Sequence, residues 1–402
     1  MKPDDIILSL MTSADGRRDP YPLYRQLRQT APIARSELGP LWFLTRYDDC
    51  HQVLRDPRLG KSASDAPMTL VPGAAPRTRL KFARRSMLMV NPPDHTRLRG
   101  LVSREFTPRR VERLRKSVEA MTDEILDTIE PGAAVDVMDT LAFPLPVRVI
   151  GELLGVPADE RDSFRPLVLA AARAIEPAAT EPEMRDAEVA GQAQSDYFAD
   201  LIERRRRTPG DDLLSALISV RDGSDQLDND ELIATAILLF AAGFETTTNL
   251  IGNMLVALLR NPEQLRTVQR DRSLVAGAVD EALRFESPVQ LDLRVAFEDL
   301  DLHQHRIEAG DAVITLLGAA NRDPAVVDDP DRFDITRTSA PLLSFATGIH
   351  YCLGANLARM EGQAVLAKLL DRFESLELLD DEPAWRDRLT LRGLDHLHVA
   401  AT

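Results

Sequence analysis

The sequence predicts a mainly helical fold with small β-sheets, organised as a single domain over residues 1–402. Three observations lead there. Apolar residues recur at helical spacing over 94–105, 108–129, 141–154, 159–174, 184–207, 211–220, 229–260, 262–270, 273–286 and 355–373. Strand-like stretches are short and scattered, at Leu41–Thr45, 293–297, 312–316 and 388–400. No repeat, low-complexity tract or shift in composition marks an internal boundary.

Along the chain, the first 60 residues combine a short helix, Tyr21–Thr30, with strand-like pieces. Residues 60–93 are rich in Pro, Ala, Ser and Gly and read as a long irregular loop, the kind that usually serves as a lid or binding loop. Helices then dominate. The segment 229–260 is the most unusual of them: Asp228 can cap it, with Glu231 as the reciprocal capping-box carboxylate. It is apolar nearly all round through Phe240, which places it inside the core. It then meets Ala242-Gly243-Phe244-Glu245-Thr246-Thr247-Thr248. A mid-helix glycine costs about 0.5–1 kcal/mol relative to alanine. Successive threonines add β-branched strain and hydroxyls that compete for backbone carbonyls. A core helix weakened in this way is expected to widen locally and admit a small molecule.

Composition narrows the function. Apolar content of 44% and charge of 28% describe an ordinary globular chain with a large core. A net charge of −15 argues against nucleic acid as a partner. Cys50 and Cys352 cannot build a disulfide framework, which suits a reducing cytosol. Met1 to Ile6 carries no signal-peptide pattern, and the longest apolar run, Leu232 to Phe244, is too short to cross a bilayer. The expectation is a cytoplasmic protein without a membrane anchor. His51, His303, His305, His396 and His398 show no metal-ligand spacing supported by cysteine. No Walker loop, Rossmann glycine fingerprint or Gly-x-Ser-x-Gly elbow is present, so flavin or nicotinamide chemistry would have to come from other proteins.

The most informative stretch is Ser344-Phe345-Ala346-Thr347-Gly348-Ile349-His350-Tyr351-Cys352-Leu353-Gly354. It sets a cysteine between glycines just before a helix, where backbone N–H groups and the helix dipole favour the thiolate. Glycines let the main chain approach a flat ligand. Such a thiolate suits an axial ligand of haem iron; the alternative is a buried, inert small hydrophobe. The pattern Phe345-x-x-Gly348-x-His350-x-Cys352-x-Gly354 resembles the cysteine-ligand loop of the cytochromes P450. One departure is Ala346, where many bacterial members carry glycine. Ala242-Gly243-x-Glu245-Thr246, Glu281-x-x-Arg284 and Pro330-Asp331-Arg332-Phe333 resemble further motifs of that family, in the same order.

The resemblance implies a P450 fold with haem b between a long distal helix and the cysteine loop, and Cys352 as axial ligand of the iron. It implies that Phe345 and Gly354 shape the loop, that Ala242 and Gly243 leave room for O2, that Thr246 donates a proton toward the oxygen, and that Glu245 feeds the relay. It assigns His95, Arg99, Arg294 and His350 to the haem propionates, and Glu281, Arg284 and Arg332 to a buried charge network behind the loop. Arg104, Arg109, Arg110, Arg113, Arg115 and Lys116, joined by Arg359, form either a docking patch for an acidic electron donor or an ordinary charged helix face. Arg204–Arg207 reads as a solvated helix terminus. The implied activity is insertion of one oxygen atom into a C–H bond or alkene of a hydrophobic small molecule. Its electrons come from a ferredoxin or flavodoxin with an NAD(P)H-dependent reductase. A pocket rich in Ala, Leu and Val points to a bulky polyketide, macrolide or terpenoid, and Asp292 offers either a substrate contact or a partner for a pocket arginine. Two alternatives stand beside this: a peroxide-using haem-thiolate peroxygenase, which the Glu245-Thr246 pair argues against, and a haem-based gas sensor or carrier, which would need an output domain.

Overall fold

A computed structural model describes residues 1–61, 74–75, 84–338 and 340–402. Most of the loop read at 60–93 lies outside these. Helices and small sheets make up the described chain, as the periodicity predicts. The segments read at 94–105, 229–260 and 262–270 form helices with those limits, Asp94–Glu105, Asn229–Arg260 and Pro262–Arg270. The helix expected at 108–129 ends earlier, at Leu126. The helix expected from 141 is preceded by a π-helical turn, Met138–Ala142, before Pro144 opens Pro144–Leu154. Proline tolerates that first-turn position because its missing N–H has no partner there in any case.

The N-terminal region holds more helix than its periodicity suggests. Pro3–Thr12, Ala14–Arg18 and Tyr47–Arg55 are helical, besides the expected Tyr21–Thr30. These helices are short, and their apolar faces close only against a sheet contributed by distant sequence. That sheet has five strands in the order Ile33–Arg35, Leu41–Leu44, Ala312–Leu316, Leu291–Ala296 and Leu59–Gly60. Its single parallel pairing joins Leu41–Leu44 to Ala312–Leu316, while the other pairs are antiparallel. A smaller sheet pairs His398–Ala401 with Ala134–Asp136 and Leu376–Leu378.

The main core gathers around Asn229–Arg260, which packs on Pro144–Leu154, Glu181–Arg207, Val275–Phe285 and Ala355–Arg372. The capping box forms as read: Glu231 N–H donates to Asp228 Oδ1 at 2.9 Å and Asp228 N–H to Glu231 Oε2 at 3.0 Å. This helix is apolar enough to span a bilayer, but it is buried against neighbours along most of its length and serves as a core helix. The expected local widening is absent. The helix stays α-helical throughout, with Thr246 Oγ1 donating back to the Ala242 carbonyl at 2.6 Å.

Candidate active site

The cysteine loop runs from Leu343 into the helix Ala355–Arg372. Cys352 N–H donates to the Phe345 carbonyl at 3.0 Å and Ala346 N–H to the Leu343 carbonyl at 2.8 Å, closing a tight hairpin-like turn. The turn requires left-handed backbone at Ala346 (φ +54°) and Gly348 (φ +73°). At Gly348 a Cβ would also lie 2.6 Å from the Leu54 carbonyl, so only glycine fits. At Ala346 the strain is carried by an L-residue, at a cost of roughly 1–2 kcal/mol. The departure noted in the sequence therefore leaves the turn in place and strains it. Gly354 occupies the N-cap of the following helix, with its N–H near the Cys352 sulfur. A Cβ on it would come no closer than 4.0 Å to that sulfur. Burial raises the Cys352 thiol pKa, opposed by the Gly354 N–H and the Arg99 and Arg359 guanidinium groups. A metal cation bound at the sulfur would favour the thiolate. Phe345 is covered by the Arg359 guanidinium, 4.5 Å from its ring centroid.

Beside this loop, four cationic or imidazole side chains come together. His95 and Arg99 lie one turn apart on Asp94–Glu105, Arg294 on the strand Leu291–Ala296, and His350 two residues before Cys352. The His95 and His350 rings are 4.4 Å apart, and Arg99 Nη2 donates to the Tyr351 carbonyl at 2.6 Å. Burial and the Arg294 charge push His350 down to about 3, and burial with Arg99 and Arg294 lowers His95. Among the described residues, both ring nitrogens of His95, Nε2 of His350 and Nη2 of Arg294 are buried without a hydrogen-bond partner. Orphaned donors concentrated in one place are costly unless an anion or ordered water meets them. A planar ligand with two carboxylates beside a cysteine sulfur satisfies that demand, so the residues fit haem. Asp292 is taken up internally: Lys61 Nζ and Arg294 Nη1 donate to its Oδ1 at 2.6 and 2.7 Å. It is half-buried, and against the desolvation that would raise it these two cations hold its pKa down to about 2.

On the central helix, Ala242 is exposed, with Leu238 and Thr246 half-buried one turn to either side. Gly243 points elsewhere: a Cβ there would meet Ile150 Cδ1 at 3.0 Å, so its missing side chain admits the helix Pro144–Leu154. Of the pair expected to leave room for O2, Ala242 is exposed and Gly243 is half-buried beside Ile150. Glu245 is 2% exposed and sits about 100° round the helix from Thr246, where adjacent residues do not face each other. Its Oε1 accepts from Arg388 Nη1 and, at 3.4 Å, from Arg386 Nη1. Burial raises its pKa and the two guanidinium groups oppose this. Sequence reasoning missed both arginines. Only Arg388 fell within a stretch read as strand, 388–400, and Asp387 between the two arginines breaks any apolar alternation, so no local signal marked them.

The charge network forms with one substitution of roles. Arg284 makes a two-pronged pair with Glu281, 2.7 Å on each prong, and donates to the carbonyls of Asn321, Pro330 and Arg332. Arg332 contributes only that carbonyl, for its side chain is 61% exposed and reaches Asp334 at 3.7 Å. Burial of Phe333 against Phe285 turns the preceding side chain outward. Arg337 supplies the cation instead, its Nε 3.3 Å from Glu281 Oε1. In the basic stretch, Arg104, Arg110 and Arg115 pair with Asp222, Glu105 and Glu112, and Arg359 pairs with Asp280. Arg109, Arg113 and Lys116 are exposed along one face of Pro108–Leu126. The run Arg204–Arg207 is more engaged than a solvated terminus: Arg204 meets Glu160 at 3.1 Å and Arg205 meets Asp212 at 2.7 Å.

Comparison with known proteins follows the same lines. Residues 7–391 match the family model described as Cytochrome P450. The 6-deoxyerythronolide B hydroxylase of Saccharopolyspora erythraea is 42% identical over 398 residues, covering 95% of this chain and 96% of the relative. Cytochrome P450 monooxygenase PikC of Streptomyces venezuelae is 41% identical over 397 residues, covering 96% and 92%. The solved structure of the Bacillus subtilis 168 bacillaene polyketide synthase cytochrome P450 PksS superposes with a TM-score of 0.88 at 36% identity, covering 96% of this chain and 98% of that one.

Proposed function

The chain belongs to the cytochrome P450 family of monooxygenases, and on that premise we propose that it hydroxylates or epoxidises a bulky hydrophobic natural product of polyketide, macrolide or terpenoid type. The observation that carries the site reading is the set of buried, unpartnered donors of His95, His350 and Arg294 beside the Cys352 loop. In this reading Cys352 ligates the iron of haem b, and His95, Arg99, Arg294 and His350 hold the propionates. When bound, the haem supplies oxygen activation, to which a thiolate ligand lends electron density. Phe345 and Gly354 set the loop around the sulfur. Ala242 keeps the distal side open. Thr246 and Glu245 deliver protons, and because they do not touch, water carries the proton between them. In the present rotamer the Thr246 hydroxyl donates to the Ala242 carbonyl, so it must exchange that partner to give its proton onward.

Electrons come from a separate ferredoxin or flavodoxin and its NAD(P)H-dependent reductase, drawn to the exposed Arg109, Arg113 and Lys116. The protein works in the cytoplasm as a single catalytic domain. The substrate proposal draws on the names of the macrolide and polyketide relatives and on the Ala-, Leu- and Val-rich segments that the family resemblance assigns to the pocket. Asp292 is already paired with Lys61 and Arg294, which favours a neutral substrate over an amine there. Two measurements test this. The ferric protein, titrated with macrolactones such as 6-deoxyerythronolide B, should show the spectral shift of water displaced from iron. A Cys352→Ser variant should lose the parent's ferrous–CO spectrum; an unchanged spectrum rules out the ligand assignment.

A further inference from the structure

The segment 386–392 carries three buried arginines, Arg386, Arg388 and Arg392, none of which the motifs account for. Burying a guanidinium is costly unless its charge and donors are met. Arg392 is met by Glu286 at 2.7 Å, on the ring of Trp385. Arg386 is shared between Asp395 at 3.1 Å and Glu245, and lies over Phe143. Arg388 bridges two different structures. Its Nη1 donates to Glu245, and its Nη2 donates to the Leu169 carbonyl at 3.2 Å. Leu169 belongs to the helix Phe164–Ala171, which continues through the 3₁₀ turn Ala172–Ile175 toward the long helix Glu181–Arg207.

The same segment is strapped at further points to residues 164–176, termed the roof segment from here on. Glu176 Oε2 accepts from the Leu389 and Thr390 N–H groups at 2.9 and 3.0 Å, and its Oε1 accepts from Leu391 N–H at 3.4 Å. Thr390 Oγ1 donates to the Ile175 carbonyl at 3.1 Å. Every one of these bonds ends on residues 169–176. The groups acting electrostatically on Glu245 are accordingly Arg388, Arg386, Glu176 and Arg173, all from the strap or the roof.

We propose that Arg388 is a positioning residue for Glu245, and that the strap 386–392 makes its hold on that carboxylate conditional on the roof segment 164–176 being seated. This rests on the reading of Glu245 as the proton-delivering acid. If the roof lifts, Arg388 loses the Leu169 carbonyl and the strap loses the Glu176 oxygens, so the guanidinium is no longer fixed above Glu245.

The test uses the haem-loaded full chain with a surrogate ferredoxin and reductase, without substrate. It measures oxygen consumption and, separately, amide hydrogen exchange. Glu245→Gln should slow oxygen consumption at least about tenfold. Arg388→Gln should slow it comparably, add nothing in the Glu245→Gln background, and be largely rescued by Arg388→Lys. Arg388→Gln should also speed exchange at 169–176, and Glu176→Gln should speed it at 389–391. Parental consumption in Glu245→Gln overturns the acid reading and the proposal with it. Parental consumption in Arg388→Gln alone overturns only the positioning role. Additive losses in the double variant mean that Arg388 acts independently of Glu245, which also overturns it. Unchanged exchange at 169–176 in Arg388→Gln refutes the dependence on the roof.

Discussion

Replacing Arg284 by methionine tests the assignment of the buried charge network most directly. Arg284 is 1% exposed, and its guanidinium donates to both Glu281 oxygens and to three backbone carbonyls. Methionine preserves much of the stem but none of those donors. Glu281 would keep the Asp334 N–H at 2.8 Å and Arg337 at 3.3 Å, so its charge would not be wholly abandoned. Breaking a buried pair by removing one partner costs about 3–5 kcal/mol, and the remaining donors favour the lower end. For a chain of 402 residues with an unfolding entropy of about 2.1 cal/mol/K per residue, that lowers Tm by about 4–6 °C. The discriminating comparison uses the other two arginines. Arg337→Met should cost about 1–2 kcal/mol, for one charge-assisted bond to Glu281 and the bonds to the Asp328 and Asp329 carbonyls. Arg332→Met should cost no more than about 0.5 kcal/mol, because its only ion pair is long and exposed. Circular dichroism melts of the purified variants supply the order. A larger loss for Arg332 than for Arg337 would refute the reassignment, and a shift below about 1 °C for Arg284 would refute the network's contribution to stability.

Three further outcomes follow from local geometry. Ala346→Gly should raise stability by roughly 0.5–1 kcal/mol, the relief of left-handed strain less the extra unfolded-state entropy of glycine; a lower denaturation midpoint in urea would contradict it. Glu361 is buried without a partner for Oε2 among the described residues, and burial alone pushes its pKa well above the usual carboxylate range. Its contribution to stability is therefore complete below the unfolded-state pKa and lost as pH rises through the folded one, so Glu361→Gln should be progressively more stable than the parent on going from acid to neutral pH. Parallel stability–pH curves for the two proteins would exclude this. Gly393→Ala would set a Cβ 2.0 Å from Asn249 Oδ1, against a fully buried side chain of the central helix. It should destabilise by about 1–3 kcal/mol, and an unshifted chemical denaturation curve would show that the contact yields freely.

Local rules act within a few residues, and what depends on them was legible in advance. Helical spacing marked the central helix, the capping pair Asp228–Glu231 marked its start, and the glycine-flanked cysteine marked the loop. The i,i+3 spacing of Glu281 and Arg284 sufficed to pair them. The N-terminal helices were missed because they are short, and their burial depends on strands about 250 residues away in sequence. The partners of Glu245, the cation beside Glu281 and the commitment of Asp292 to Lys61 were likewise decided by packing. In each case the chain brings together groups 50 or more residues apart, and a buried charge takes whichever counter-charge the core delivers to it. By itself, then, the sequence determined a helical protein with a cysteine loop and a polar break in a core helix. Tertiary structure alone decided that Gly243 admits a neighbouring helix, that Arg337 stands where Arg332 was expected, and that Glu245 is gripped from the C-terminal strap. Side-chain direction at such positions is set by what must be buried beside them, and no local pattern encodes that.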